Sequence, residues 1–144
     1  MEQTLKKMQY KCQGPVLVLN APAGLELFEY ADRHVKGKYP FIMAFAKSLA
    51  ELNGMAKSLT DAIEAEGYLW ICYPKGTSKK YKSDINRNTL LAAFGPYGFE
   101  GVTQIAVDDD WSALRVRPVD EIKTMKRSWA VSEKGKERIK ENKK

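Results

Sequence analysis

The chain has 144 residues, of which 44% are hydrophobic and 29% are charged, and its formal net charge is +6. A chain of this length and composition is typical of one globular domain with a buried core. No apolar stretch approaches the length of a membrane span and no signal peptide is visible, so neither a membrane protein nor a secreted one is expected. The two cysteines, Cys12 and Cys72, do not form a disulfide framework, which also favours a cytoplasmic protein.

The positive charge is concentrated at the carboxyl end. Residues 120–144 hold nine Lys or Arg and five Asp or Glu, whereas the preceding part of the chain is nearly balanced. We therefore predict a single α/β domain over residues 1–129 and a basic, flexible tail over residues 130–144. A tail of this kind either binds nucleic acid or another anionic surface, or is simply solvated.

The first half of the chain predicts two strands and a helix. Val16–Leu19 is a short apolar run typical of a buried strand, and Asn20–Gly24 turns the chain. Phe41–Ala46 is a second apolar strand. Between them, apolar residues recur at helical spacing and predict a short helix: Leu25, Phe28, Ala31 and Val35.

A second helix and a third strand follow. Ser48 and Glu51 have the spacing of a capping box, so a helix is expected to begin there, and Gly67 is expected to end it. The strand Leu69–Tyr73 is apolar on both parities, which predicts that both of its faces are covered.

The remaining elements are a third helix and a hairpin. The helix, around Leu90–Phe94, precedes strands near residues 102–107 and 111–117, and the short connection between these strands predicts an antiparallel pair. Strands that alternate with helices predict a mostly parallel sheet with helices on both faces. The sequence thus predicts one three-layer α/β domain with a mixed sheet of about five strands, a terminal antiparallel hairpin, and its one antiparallel strand at the edge.

The connection between the third strand and the third helix carries the best candidate for a functional site. Its loop holds four lysines and two hydroxyl side chains: Lys75, Thr77, Ser78, Lys79, Lys80 and Lys82. The loop leads to a helix amino end that Ser83, Asp84 or Asn86 would cap, with Arg87 in the first turn. Free amides, a positive partial charge and a guanidinium group suit a phosphate or carboxylate. The alternative is a solvated lysine loop, and the spacing of a P-loop is absent.

The last predicted strand has two distinct faces. Ser112, Leu114 and Val116 share the face that is expected to join the core. The other face sets an indole beside two guanidinium groups and consists of Trp111, Ala113, Arg115 and Arg117. This face forms either a cation–π stack or a platform for an anionic or planar ligand. Alternatively, Arg115 pairs with an Asp and Trp111 packs under a helix.

Two further sets of residues were weighed as sites. The carboxylates of Asp108–Asp110 suit magnesium or calcium, but adjacent residues in a tight turn rarely converge on one ion. We predict instead that they form the turn and pair with nearby Arg or Lys, and we predict no metal site. His34, the single histidine, is expected near the end of the first helix, and it is part of no Ser-His-Asp or zinc-ligand pattern.

Two resemblances follow from these residues. The blocks Leu69–Lys75, Asp84–Arg87 and Asp110–Arg115 resemble the hallmarks of an uncharacterised bacterial family of unknown function, which implies a compact cytosolic α/β domain but no activity. Tyr39–Phe45 and Leu59–Ile71 are similar to the fourth and fifth strand regions of the class I methyltransferase fold. The glycine-rich cofactor loop of those enzymes has no counterpart here.

These patterns favour a non-catalytic cytosolic module that binds an anionic small molecule or a nucleic acid, with no cofactor and no membrane contact. The residues expected to bind the ligand are Lys75, Thr77, Ser78, Lys79, Lys80, Arg87, Trp111, Arg115 and Arg117. The alternative is a small methyltransferase-like enzyme with a divergent or lost cofactor site.

Overall fold

The computed structural model describes residues 2–11, 13–22, 28 and 31–119. The predicted tail, residues 130–144, therefore lies outside the described residues. The elements are α1 (Glu2–Lys7), β1 (Val16–Leu19), β2 (Tyr39–Phe45), α2 (Leu49–Ala62), β3 (Ile63–Pro74), α3 (Arg87–Phe94), a 3-10 turn (Gly95–Tyr97), β4 (Phe99–Ala106) and β5 (Trp111–Pro118). All five predicted strands are present, and the predicted α/β class is confirmed.

The five strands form one mixed sheet in the order β1-β2-β3-β5-β4. β1, β2 and β3 are parallel, and β5 is antiparallel to both β3 and β4. The predicted antiparallel hairpin is confirmed, but the prediction that the antiparallel strand lies at the edge is wrong. β5 is buried from Trp111 to Val116, whereas β4 is largely exposed from Val102 to Ala106. The hairpin folds back so that β5 takes the interior position beside β3 and β4 forms the edge of the sheet.

Hydrophobic cores lie on both faces of the sheet. On one face, α2 and α3 pack their apolar sides on the strands; this core includes Leu17, Ile42, Leu52, Leu59, Leu69, Ile71, Leu90, Phe94, Leu114 and Val116. On the other face, α1 packs through Leu5, and together with the residues that follow it and two loops it covers a core that includes Met8, Phe28, Phe41, Met43, Phe45, Trp70, Cys72, Trp111 and Ala113. Because alternate residues of a strand point to opposite faces, the predicted division of β5 into two faces is confirmed.

The segment that was predicted as the first helix is different where the structure describes it. Asp32 forms an isolated bridge with Leu17, and its backbone exchanges hydrogen bonds with Val18 (2.9 Å) and Val16 (2.8 Å). Residues 31–38 are therefore irregular, and His34 does not end a helix. The outer edge of β1 has unpaired backbone groups, and the bridge at Asp32 satisfies some of them. Residues 23–27 and 29–30 lie outside the described part.

The boundary between α2 and β3 also differs from the prediction. Ser48 caps α2 as expected, since its hydroxyl accepts the amide of Glu51 at 3.2 Å. The helix ends at Ala62, and Gly67 lies inside β3 rather than at the helix end. A Cβ atom at Gly67 would lie 2.8 Å from the carbonyl oxygen of Glu64. The strand is irregular and tightly packed at this point, so it needs a glycine there. In the sequence, such a glycine cannot be told from one that ends a helix.

Gly101 sets the distance between α3 and the sheet, and replacing it tests this packing. A Cβ atom there would lie 2.7 Å from Cδ2 of Leu91 on α3. We expect Gly101→Ala to lower the free energy of unfolding by about 1–3 kcal/mol, because it overpacks a buried contact. The control is Gly54→Ala on α2, where a Cβ atom meets nothing within 4 Å. That change should raise the free energy of unfolding by up to about 1 kcal/mol. If urea denaturation shows the same change in the free energy of unfolding for both variants, Gly101 does not set the packing of α3 on the sheet.

Candidate functional site

A cleft of about 590 Å³ opens at the carboxyl end of β3. It lies between the start of β5, the amino end of α3 and the loop that joins β3 to α3. Its lining combines polar groups with apolar surface and consists of Tyr73, Lys75, Gly76, Thr77, Ser83, Asp84, Ile85, Asn86, Arg87, Gln104 and Ser112. This is the place that the sequence indicated, where a buried strand ends, a helix begins and several cations are close.

Two hydroxyl groups form the floor of the cleft. Tyr73 and Ser112 are direct neighbours in the ladder between β3 and β5, so their side chains share one face of the sheet. They are only 5% and 8% exposed, and both line the cleft. Neither hydroxyl makes a hydrogen bond to any residue in the described part of the chain. Because both residues line the cleft, their hydroxyls are groups that a ligand or water can satisfy.

The amino end of α3 forms one wall. Asn86 caps it: its side-chain oxygen accepts the amide of Thr89 at 3.0 Å, and the Thr89 hydroxyl accepts the amide of Asn86 at 2.8 Å. The amides of Arg87 and Asn88 donate to no acceptor among the described residues. Amides in the first turn of a helix commonly lack an acceptor within the helix. They leave a positive partial charge beside the cleft.

The rim of the cleft is fixed through the backbone of Lys75. Its amide donates to the carbonyl of Asp110 at 2.8 Å, which continues the pairing of β3 with β5 by one residue. Its carbonyl accepts the amide of Ser78 at 3.0 Å and closes a turn that contains Thr77. The loop therefore leaves the sheet in a defined direction, and it carries Lys75 and Thr77 to the cleft.

Asp84 is the one carboxylate among the residues that line the cleft. Its Oδ1 accepts the amide of Leu49, the first residue of α2, at 2.8 Å. This bond joins the amino ends of α2 and α3, and it places a negative charge where the amino end of α2 favours one. Two cations, Lys75 and Arg87, line the same cleft, so its formal charge is +1.

The phenol of Tyr73 is held in its neutral form. Burial raises the pKa of Tyr73, and the positive charge of Arg87 acts in the opposite direction with a smaller effect. The net pKa is above the ordinary value of 10.0. At neutral pH, Tyr73 therefore presents an O–H group that can donate a hydrogen bond.

Six of the residues expected to bind the ligand lie in this loop and at the start of α3; the structure brings three of them to the cleft and leaves three outside it. Lys75, Thr77 and Arg87 line it. Ser78, Lys79 and Lys80 do not. Ser78 donates to Asp110 at 2.7 Å and organises the loop, and Nζ of Lys80 lies 5.4 Å from the centre of the Tyr81 ring.

The predicted platform on β5 is also separate from the cleft. Trp111 is 2% exposed and packs between the rings of Phe45 and Tyr81, each at 5.1 Å. Arg115 does not stack on Trp111; its guanidinium carbon lies 3.7 Å from the centre of the Tyr68 ring. Arg117 lies near the far end of β5 and pairs with Glu66 at 3.0 Å.

The acidic connection between β4 and β5 forms a turn, as predicted. Oδ1 of Asp108 accepts the amides of Asp110 and Trp111, both at 2.8 Å. The predicted pairing with Arg or Lys is not seen within the described residues, where Asp110 contacts Ser78 instead. No group of three potential metal ligands occurs in the part of the chain that is described.

Sequence patterns missed Tyr73, Ser112 and Gln104. Tyr73 belongs to the predicted strand with both faces covered, and Ser112 to the predicted core face of its strand. That parity is correct, but each residue lies one position from the strand end, where the core face opens towards the loops. A hydroxyl side chain near the end of a buried strand is the signal that would have indicated both residues.

Comparison with known proteins supports the fold alone. The sequence matches no protein-family model and no curated protein, so the resemblance to an uncharacterised family stays an expectation. The fold is similar to that of the ribosomal protein L11 methylase from Lactobacillus delbrueckii subsp. bulgaricus. The TM-score is 0.50 and the identity 11%, over 80% of this chain and 76% of that chain. Among the described residues, no helix is both long and apolar enough to cross a membrane.

The raised pKa of Tyr73 predicts a loss of stability at high pH. Since the folded pKa exceeds the ordinary value of 10.0, the stability linked to the neutral phenol is complete below that value and is lost as pH rises through the folded pKa. We expect Tyr73→Phe to change the free energy of unfolding by less than about 1 kcal/mol at pH 7, because the hydroxyl has no partner among the described residues. Between pH 9 and 11.5 the variant should lose less stability than the parent in urea denaturation.

Ser112→Ala is the matched control for this measurement. It removes the neighbouring floor hydroxyl but no titrating group, so its loss of stability at high pH should follow that of the parent. If Tyr73→Phe also follows the parent, the phenol does not titrate with a raised pKa.

Proposed function

We propose that this domain binds a small anionic molecule in the cleft and does not transform it chemically. The observation that carries the proposal is the convergence of Lys75 and Arg87 with the amino end of α3 around one concave site. Concave sites of a few hundred Å³ that combine apolar surface with a few polar groups suit small molecules better than extended polymers. A phosphate or carboxylate group is the chemistry that these donors recognise.

Simple energetics favour a modest affinity. A charge-assisted hydrogen bond contributes about 1.5–3 kcal/mol, and the end of a helix contributes about 0.3–1 kcal/mol. Two cations and one helix end therefore supply at most about 3–7 kcal/mol, and the carboxylate of Asp84 lowers this sum. This range corresponds to dissociation constants from a few millimolar to about 10 µM.

The lining of the cleft gives little support to a catalytic role. It contains no histidine, no cysteine and only one carboxylate. Ser112 has no base beside it among the lining residues, so the pairings that activate a nucleophile or transfer a proton are missing from this set. The similarity to a methylase concerns the scaffold, which hosts many functions, and it does not favour the methyltransferase-like alternative.

Two double variants separate the cleft from the rest of the loop. Lys75→Gln with Arg87→Gln removes two positive charges from the cleft, and Lys79→Gln with Lys80→Gln removes two from the same loop outside it. With inorganic phosphate as the probe, we expect the first pair to weaken binding at least about tenfold, since two charge-assisted contacts are lost. The second pair should weaken it less than about threefold, through long-range charge alone.

Isothermal titration calorimetry at two salt concentrations makes this comparison. Both double variants have the same net charge, so a difference between their affinities reports the position of the lost charges. If the pair at Lys79 and Lys80 causes the larger loss, the anion binds on the outer loop instead. If the parent binds no phosphate at millimolar concentration, the proposed function is wrong.

A further inference from the structure

The cleft holds more hydrogen-bonding groups than a bare anion needs. A phosphate at the amino end of α3 would use Lys75, Arg87 and the free amides of the first turn. The floor hydroxyls of Tyr73 and Ser112, which have no partner among the described residues, would remain unused. So would the side-chain amide of Gln104, which lines the cleft from β4.

Asp84 is the most informative of the remaining groups. One of its carboxylate oxygens accepts the amide of Leu49, and the other makes no hydrogen bond to a described residue. A negative charge in the lining repels a simple anion. A carboxylate is, however, a strong acceptor for hydroxyl groups. The lining therefore combines cations for an anionic group with an acceptor for neutral O–H donors.

We propose that the ligand is a phosphorylated polyol, such as a sugar phosphate; this proposal rests on the proposed function. The phosphate lies at the amino end of α3, with Lys75 and Arg87. The hydroxyls of the ligand meet Tyr73, Ser112, Gln104 and the free oxygen of Asp84. The cleft volume of about 590 Å³ accommodates a five- or six-carbon sugar phosphate.

The lining also argues against two other classes of small anion. A nucleotide gains affinity when its base stacks on an aromatic ring. Tyr73 is the one aromatic residue of the lining, and at 5% exposure it offers no ring face. A dicarboxylate without hydroxyls has nothing to donate to Asp84, and it leaves the floor hydroxyls without matching partners. A site built for hydroxyls discriminates strongly against ligands that lack them.

The test compares dissociation constants of inorganic phosphate, glycerol 3-phosphate, ribose 5-phosphate, glucose 6-phosphate, fructose 6-phosphate and AMP for the full chain, by calorimetry. At least one of the four polyol phosphates should bind at least about tenfold more tightly than inorganic phosphate and AMP. If inorganic phosphate binds but no polyol phosphate binds at least about tenfold more tightly, this inference is wrong and the proposed function stands. Tighter binding of AMP than of all polyol phosphates overturns it in favour of a nucleotide. If nothing in the panel binds, inorganic phosphate included, the proposed function fails, and this inference fails with it.

Three variants test whether the named residues bind the hydroxyls of the ligand. The measured quantity is the dissociation constant of inorganic phosphate divided by that of the tightest polyol phosphate. Tyr73→Phe with Ser112→Ala should lower this ratio from about tenfold to about twofold. Gln104→Ala, at an exposed edge position that the fold does not require, should lower it as well. Asp84→Asn keeps an oxygen acceptor for Leu49 but removes the charge, so it should tighten inorganic phosphate and lower the ratio. If none of these changes alters the ratio, the polyol part of the ligand does not contact these residues, and the inference is wrong.

Discussion

The hydrogen-bonded ladders on either side of β3 are the constraint on which the rest of the structure depends. β3 pairs in parallel with β2 through Phe41–Phe45 and antiparallel with β5 through Trp111–Val116. Its residues from Leu69 to Pro74 are all buried, so the strand occupies the middle of both cores. Trp70 also fixes the beginning of the chain, because its indole N–H donates to the carbonyl of Met8 at 3.1 Å.

The position of the cleft follows from the way β3 ends. Pro74 has no N–H group to extend the ladder, and Lys75 makes one further bond to Asp110 before the chain turns. β5 begins opposite this point, so Tyr73 and Ser112 are the last buried pair of this ladder on the sheet face that α2 and α3 cover. The amino ends of α2 and α3 meet at the same edge through Asp84. Cationic and hydroxyl side chains thus gather where an α/β sheet commonly binds its ligands, at the carboxyl end of an interior parallel strand.

Local patterns predicted much of this arrangement because they depend on neighbouring residues. The apolar runs of β1, β2 and β3, the cap at Ser48 and the two faces of β5 are all encoded within a few positions. The same holds for the position of the cleft, since Lys75, Thr77 and Arg87 flank a strand end and a helix start. Asn86, one of three candidates, proved to be the cap.

The remaining features depend on distant contacts and could not be predicted in this way. Arg115 stacks on Tyr68, and Arg117 pairs with Glu66, because β5 lies beside β3 rather than at the edge. Strand order also decides that Ser112 faces Tyr73 and that Gln104 reaches the same cleft. The irregular segment at Asp32 follows a free sheet edge, which helical spacing alone does not reveal.

The most direct test of the central claim is an amide NMR titration of the ¹⁵N-labelled full chain with inorganic phosphate. If the cleft binds an anion at the amino end of α3, the backbone amides of Arg87 and Asn88 should show the largest shifts, because their N–H groups lack acceptors in the described structure. Saturable shifts centred on residues 79–82, with none in the first turn of α3, would contradict the account.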